Sequence, residues 1–343
     1  MATDKLVPND PGVKYESTQV NGRTYSYMLG EPTGTSKGLI FLVHGFPDLG
    51  FGWRCQVPYF MSRDYRVLVP DMLGYGGTDA PSAFEEYTFK KHSDDINALA
   101  RKFVGPDGQI ILGGHDWGGF LVWRVALWYP ELIRAVFSVC TPYRPPSPRF
   151  TPLEDMIAAG SLRNFTYQLH FKGPEVEGNI QGEEKVRQFL NALHGGQGPN
   201  GEAGIVTTEG VLFENLPKLR RSKLMSEEEL DHYVKQYMAH PAPQMRGPLN
   251  WYRTRELNFE DEKPLAERAG GGKLEMPALF IAASKDTALP PSMSAGMEAY
   301  FTKLSRGEVD ASHWALTQAP DEVNGRIGAW LDEVEGGTLK SAL

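Results

Sequence analysis

Gln109-Ile110-Ile111-Leu112-Gly113-Gly114-His115-Asp116-Trp117-Gly118-Gly119 runs from a continuous apolar stretch into a turn that holds one acidic side chain between glycines. The apolar run reads as a strand covered on both faces. A helix is predicted to follow over 118–129. The turn has the pattern G-x-Nu-x-G of a nucleophile elbow, with Asp116 in the nucleophile's place. Small flanking residues let strand and helix approach closely while one side chain is held up at the sheet edge. The structural alternative is a glycine-rich strand–helix turn with Asp116 as helix cap. Neighbouring residues on a tight turn point apart, so His115 is expected to pack below the elbow.

Working outward, further buried-strand runs lie at 38–43, 65–70, 136–140 and 278–283. Residues 13–29 alternate as a two-stranded hairpin turning at Asn21-Gly22. Helices are predicted near 53–61, 90–103, 291–303 and 319–333. Strands alternating with helices point to an α/β fold, with a parallel sheet covered on both faces. The alternation stops after Cys140, where Pro142, Pro145, Pro146 and Pro148 cluster. The stretch beyond has helical patches at 153–160, 183–194 and 226–238, a glycine-rich run over 173–210 and few strand signals. Alternation resumes at Met276. The expected organisation is a core over 1–141, an inserted helical lid over 142–260, and a second part of the core over 261–343. Such a lid is expected over the carboxyl ends of the strands, where open α/β sheets bind ligands.

Composition narrows the class. Among 343 residues there are 35 Lys+Arg and 43 Asp+Glu, a net charge of −8. With no basic run, that balance argues against nucleic acid or an anionic membrane as partner. Two cysteines, Cys55 and Cys140, exclude a disulfide framework and any multi-cysteine metal site. They read as buried apolar residues, which suits a reducing compartment and a cytoplasmic location. The N-terminus has no apolar segment of a secretory signal, and charges such as Arg124 interrupt every long apolar run. The ending Ser341-Ala342-Leu343 lacks the central Lys of a peroxisomal signal and reads as a tail.

Two more stretches carry chemistry. His44-Gly45-Phe46-Pro47 directly follows the 38–43 strand. In enzymes built on a nucleophile elbow, a loop there lends a backbone N–H to an oxyanion hole, and the residue after the nucleophile supplies the second. Phe46 and Trp117 are the candidate donors; the plain alternative is an ordinary post-strand turn. His313 follows the short strand candidate Glu308-Val309 and precedes the last helix, the place for a base. The alternative is a surface histidine. Asp286, after the 278–283 strand, fills the middle of the order nucleophile, acid, base. The other place for the acid, after the preceding strand, reads Cys140-Thr141-Pro142 with no carboxylate. Asp71–Asp79 resembles a nucleotide loop but lacks its last glycine. No Walker lysine and no ligand cluster stands out, so neither cofactor nor metal is expected.

The elbow, the H-G-F-P loop and the Asp…Asp…His order resemble the α/β-hydrolase superfamily. An aspartate nucleophile resembles its epoxide hydrolases and haloalkane dehalogenases. Phe165-Thr166-Tyr167-Gln168-Leu169 and Arg246-Gly247-Pro248-Leu249-Asn250-Trp251-Tyr252-Arg253 look like the lid segments of soluble epoxide hydrolases that present two ring-opening tyrosines. Each tyrosine alone reads as an ordinary packing residue of an amphipathic helix. The resemblance covers roughly 13–333. It implies a mostly parallel eight-stranded sheet with a helical lid. It also implies hydrolysis of small apolar or aromatic epoxides to vicinal diols, with water as the second reactant. The implied nucleophile is Asp116, forming an alkyl ester. His313, oriented by Asp286, activates the water. Tyr167 and Tyr252 bind the epoxide oxygen and give it a proton; a phenol, with a reference pKa of about 10, carries that proton at neutral pH. Phe46 and Trp117 form the oxyanion hole and contact the substrate. Mammalian relatives carry an extra N-terminal phosphatase domain, whose activity is not expected here. The rival readings are a dehalogenase, which needs a second halide donor and no paired tyrosines, a non-catalytic receptor, and a serine esterase, for which no G-x-S-x-G is apparent.

Overall fold

The computed structural model describes residues 4–268 and 271–339. The tail Ser341-Ala342-Leu343 and the first three residues lie outside the described residues. The chain divides into two compact units. The first comprises Met1–Met72, Phe89–Pro148 and Asn258–Leu343; the second comprises Leu73–Thr88 and Arg149–Leu257.

The first unit is built on an eight-stranded sheet. Its strands are β1 (Lys14–Val20), β2 (Arg23–Gly30), β3 (Leu39–Val43), β4 (Arg66–Pro70), β5 (Ile110–His115), β6 (Ile133–Val139), β9 (Ala278–Ala283) and β10 (Leu304–Val309). The order across the sheet is β1-β2-β4-β3-β5-β6-β9-β10. The β1/β2 and β2/β4 pairs are antiparallel, and all others are parallel. β1 and β2 form the expected hairpin. Asn21 and Gly22 both take positive φ, at 50° and 81°, as a two-residue turn matched to strand twist requires. Buried Asp95 anchors the hairpin, accepting hydrogen bonds from Asn21 (2.8 Å), Arg23 (2.9 Å) and Tyr25 (2.7 Å).

Four helices of this unit flank the sheet in sequence: α1 (Val57–Ser62), α2 (Phe89–Val104), α3 (Trp117–Trp128) and, near the end, α12 (Pro320–Gly336). Every residue of β3 is buried, which is why its sequence shows no polar alternation. Trp53, Phe60 and Trp330 close around Phe137 of β6, with ring centroids 6.1–6.3 Å apart. Fully burying side chains of this size is worth roughly 1.5–3 kcal/mol each. Arg124, the charge inside α3, is buried. It donates to Glu262 at 2.8 Å and to the Arg144 carbonyl at 2.6 Å, and stacks 4.2 Å from the Phe120 ring centre. No described helix is long and apolar enough to cross a membrane.

Two helix expectations need correction. The helix expected over 53–61 is a tight turn at Gly50–Trp53 followed by α1. Pro58 sits in the first turn of α1, where its missing N–H costs nothing. The helix expected over 291–303 is two separate single turns, Pro291–Ser294 and Met297–Tyr300. Gly296, at φ 77°, interrupts them.

The second unit is mostly helical. It holds α4 (Leu153–Ala158), α5 (Thr166–Lys172), α6 (Pro174–Asn179), α7 (Gly182–Leu193), α8 (Glu227–Met238) and α9 (Arg246–Asn250). A small ribbon pairs β7 (Ile205–Val206) with β8 (Gly210–Val211). α10 (Arg255–Ala266) runs across the boundary at 257/258, and α11 (Ala315–Gln318) belongs to the first unit. The boundaries at 149 and 257 lie a few residues inside the expected lid limits of 142 and 260. Leu73–Thr88, which the sequence reading assigned to the core, groups with the helical unit instead. The cause is close backbone packing. A Cβ on Gly74 would sit 2.8 Å from the Gly247 carbonyl carbon. Trp251 Nε1 donates to the Leu73 carbonyl at 3.1 Å, and the Tyr75 ring meets Tyr237 and Trp251 edge-on.

Candidate active site

β3 and β5 are neighbours whose onward connections leave in opposite directions across the sheet, since β3 leads to β4 and β5 leads to β6. That makes the carboxyl ends of β3 and β5 a topological switch point, the place where open α/β sheets bind ligands. β3 ends into His44-Gly45-Phe46 and β5 into His115-Asp116.

Asp116 takes φ 54° and ψ −124°, a left-handed backbone in which a non-glycine residue is strained. The surrounding glycines make the turn possible. A Cβ on Gly118 would lie 2.2 Å from the Val43 carbonyl oxygen, and one on Gly114 would lie 2.3 Å from the Gly118 carbonyl oxygen. Strand and helix therefore meet at backbone contact, and Asp116 stands at their junction. The Phe46 N–H donates to Asp116 Oδ1 at 2.7 Å. The Thr141 hydroxyl donates to the Asp116 carbonyl at 2.7 Å and so supports the elbow from β6.

His313 lies between two carboxylates. Its Nδ1 is 2.7 Å from Asp286 Oδ2 and its Nε2 is 3.4 Å from Asp116 Oδ2. Asp286 is buried, and its Oδ1 accepts the N–H groups of Ala288 and Leu289, both at 2.9 Å. Burial alone would push both aspartates up. The hydrogen bonds and charge of His313, with the backbone donors, outweigh it and hold both carboxyls below their usual range. For His313 burial opposes protonation, but Asp286 and Asp116 together hold the imidazolium well above pH 6.5. Each ring nitrogen of His313 thus faces a carboxylate.

Two more histidines brace this group, and both are neutral. His44 donates from Nδ1 to the Gly45 carbonyl (2.9 Å) and accepts the Met72 N–H at Nε2 (2.9 Å). Burial pushes its pKa down to about 4. The Gly45 carbonyl also accepts the Asp48 N–H at 3.0 Å. The peptide that carries the Phe46 donor is thus held from its far side. His115 packs below the elbow, 1% exposed. Its Nε2 donates to the His313 carbonyl at 2.8 Å, and among the described residues its Nδ1 has no hydrogen-bond partner. Burial, then the charge of His313, takes its pKa down to about 4. Cys140, at φ 68°, points its thiol at the same carbonyl (3.4 Å). Donor atoms of His115, Cys140 and His313 lie within 4.8 Å of one another. His115 Nε2 and Cys140 Sγ both turn to the His313 carbonyl, while the His313 ring nitrogens face Asp286 and Asp116. Cys55 is likewise buried, and neither cysteine is joined in a disulfide.

Thr141 and Cys140 did not stand out in the sequence as site residues, and their one signal is position after the carboxyl end of a sheet strand; His44 was read only as the opening of the H-G-F-P loop.

Within the second unit, Tyr167 opens α5 and Tyr252 follows α9. Their ring centroids are 6.3 Å apart at 74°. Phe171, one turn beyond Tyr167, packs edge-on against Tyr167 (5.3 Å) and Tyr252 (5.0 Å). Two tyrosines separated by 85 positions in sequence are therefore neighbours. Asp116, Asp286, His313, Phe46 and Trp117 all belong to the first unit.

A strained aspartate at the carboxyl edge of a mostly parallel sheet, followed in chain order by Asp286 and His313, defines an α/β hydrolase with aspartate in the nucleophile's place. Comparison with known proteins agrees on the fold and gives the family. Residues 38–197 match the family model described as alpha/beta hydrolase fold. The chain is 42% identical to epoxide hydrolase srdG of Neurospora crassa, over 97% of this chain and 99% of that one. It is 34% identical to bifunctional epoxide hydrolase 2 of Rattus norvegicus over 98% of this chain, a match that spans 58% of the rat protein. The crystal structure of epoxide hydrolase A from Mycobacterium thermoresistibile superposes with a TM-score of 0.76 at 27% identity, covering 96% of this chain and 99% of that one. The chain belongs to the epoxide hydrolase family of α/β hydrolases.

Proposed function

We propose that this epoxide hydrolase works through a covalent ester on Asp116. The observation that carries the reading is the unequal environment of the two carboxylate oxygens. Oδ1 already accepts the Phe46 N–H, and Oδ2 faces His313. Oδ2 attacks an epoxide carbon, the C–O bond breaks, and the epoxide oxygen takes a proton from Tyr167 or Tyr252 while the other tyrosine hydrogen-bonds it. Oδ1 becomes the ester carbonyl oxygen. His313, held by Asp286, then removes a proton from a water that attacks the ester carbonyl carbon. Negative charge collects on Oδ1, against the N–H groups of Phe46 and Trp117, each worth ~3 kcal/mol of barrier by analogy with other oxyanion holes. The ester C–O bond breaks, the His313 imidazolium gives its proton to the departing former Oδ2, the carboxylic acid left on Asp116 returns a proton to the tyrosine that gave one up, and the vicinal diol leaves. Phe46, Trp117 and the two tyrosines also contact the substrate, a small apolar or aromatic epoxide. The scheme calls on no cofactor or metal, and the acidic chain is read as cytoplasmic.

The charge balance supports this order of events. Ester formation removes the negative charge of Asp116, one of the two groups that hold the His313 proton. Its affinity for a proton then falls when a base is needed.

A single turnover of styrene oxide in heavy-oxygen water, with enzyme in excess, tests the reading. Unlabelled diol, with label retained on the Asp116 peptide, is the expected result. Fully labelled diol would mean that water opens the epoxide directly. No diol from any epoxide, with halide released from a chloroalkane, would move the activity to dehalogenation.

A further inference from the structure

Beside Tyr252 stands Arg253, and its guanidinium is used almost to capacity. Nε donates to the Lys172 carbonyl (3.1 Å) and Nη2 to the Gly173 carbonyl (3.3 Å), at the end of α5. Nη1 donates to Asn250 Oδ1 at 2.8 Å. Nη2 also pairs with Glu177 Oε2 of α6 at 2.8 Å. The other oxygen of Glu177 accepts Arg246 Nε at 2.8 Å, from the first residue of α9. Arg246 and Arg253 together hold the Glu177 carboxyl below its usual range against the effect of burial. One planar fork thus joins the helix that carries Tyr167, the helix after it and the turn that carries Tyr252.

We infer that Arg253, braced by Glu177, is a positioning residue that sets the placement of Tyr167 relative to Tyr252. The inference rests on the reading of these tyrosines as the proton-donating pair. The physical argument is one of geometry. α5 is only seven residues long, too short to hold its own orientation. Its final carbonyls lack partners inside the helix, and a cation there also meets the negative end of the helix dipole. A guanidinium satisfies two carbonyls and a carboxylate in one plane; a lysine ammonium is a point charge that cannot. Loss of the fork frees the end of α5 and lets the aromatic contact through Phe171 relax. Ester formation needs both hydroxyls at one oxygen, whereas ester hydrolysis uses neither. A positioning role therefore predicts a defect confined to the first half-reaction.

Rapid-quench mass spectrometry of the Asp116 peptide follows both half-reactions in wild type, Tyr252→Phe, Arg253→Lys and Glu177→Gln. Arg187→Ala, which removes an exposed ion-pair cluster with Glu227 and Asp231 in the same unit, is the control for a general surface effect. At saturating epoxide, Arg253→Lys is expected to slow ester formation at least tenfold. Ester hydrolysis stays within twofold, and Glu177→Gln falls between Arg253→Lys and wild type. Ester formation unchanged in Arg253→Lys, or both half-reactions slowed together, overturns the inference and leaves the ester mechanism intact. If wild type forms no ester, or Tyr252→Phe forms it at the wild-type rate, the reading of the tyrosines fails and this inference fails with it.

Discussion

On the proposed mechanism, His313 is the residue on which the two half-reactions divide. Replacing it with glutamine removes the base but leaves Asp116 and its Phe46 donor in place. The expected outcome is an enzyme that captures one equivalent of epoxide and stops, seen as a stable mass increase on the Asp116 peptide. Asp286→Asn keeps the shape but removes the strongest upward influence on the His313 proton. Ester hydrolysis is then expected to slow by about 10²–10⁴, the cost of losing an orienting carboxylate in comparable triads. The pH dependence has a definite sign. Asp116 has a depressed pKa, so ester formation keeps its ionised nucleophile down to the acid side of the ordinary aspartate range. Ester hydrolysis needs neutral His313, so its rate rises with pH. The midpoint in the ester lies below that of the free enzyme, because one of the two carboxylates has been neutralised. Stopped-flow rates of each phase across pH check both statements. These three positions could be picked out as candidates because each lies within four residues of the carboxyl end of a sheet strand. His44, Cys140 and Thr141 were not, because their work is hydrogen bonding to backbone, which any of several residue types performs.

At the scale of elements, the elbow depends on β3 and α3 meeting with no side chain between them. Gly118→Ala puts a carbon 2.2 Å from the Val43 oxygen, backbone that has no rotamer to change. The expected result is a loss of roughly 1–3 kcal/mol in urea unfolding, the usual cost of overpacking, together with slower ester formation as Asp116 shifts from Phe46. Gly22→Ala is the contrast, since nothing lies within 4 Å of its added carbon and only the positive φ opposes the change. The central strands were readable because burial on both faces removes polar alternation and leaves continuous apolar runs such as Leu39–Val43. The segments around 53–61 and 291–303 were read as single helices because apolar spacing survives a break in the chain path. Pro58, Pro290 and Gly296 decided those paths. α5 and α6 gave little signal of their own, since helices this short are set by contacts such as the Arg253 fork.

At the scale of the whole chain, charge state under acid is the property most unevenly distributed. His44, His92 and His115 are fully buried in the first unit, with pKa values pushed down by burial to about 4, 3 and 4. In the unfolded chain each would titrate near 6.5. A histidine whose folded pKa is depressed contributes stability that is complete above the unfolded value and is lost as pH falls through the window toward the folded value. From 6.5 to about 4 that amounts to roughly 3 kcal/mol for each of His44 and His115. His313 acts in the opposite sense, since its raised pKa contributes stability below 6.5 that disappears as pH climbs through the folded value. Asp116 and Asp286, both depressed, add a loss only below the ordinary carboxylate range, near pH 4. In the second unit His240 is shifted the same way, and burial is again the leading cause. The steepest decline in stability is therefore expected between about pH 6.5 and 4, driven by the sheet unit. Because the chain has two units, a single unfolding free energy is not assured, so the measurement must resolve them. Hydrogen exchange of β3, β5 and α3 at pH 7, 5.5 and 4.5 reads the sheet unit directly. Protection there is expected to fall by orders of magnitude across this range. His92→Phe, which cannot take up the proton, is expected to flatten that slope by up to ~1.4 kcal/mol per pH unit. An unchanged slope in that variant would mean that His92 is not among the groups that set the acid limit of the fold.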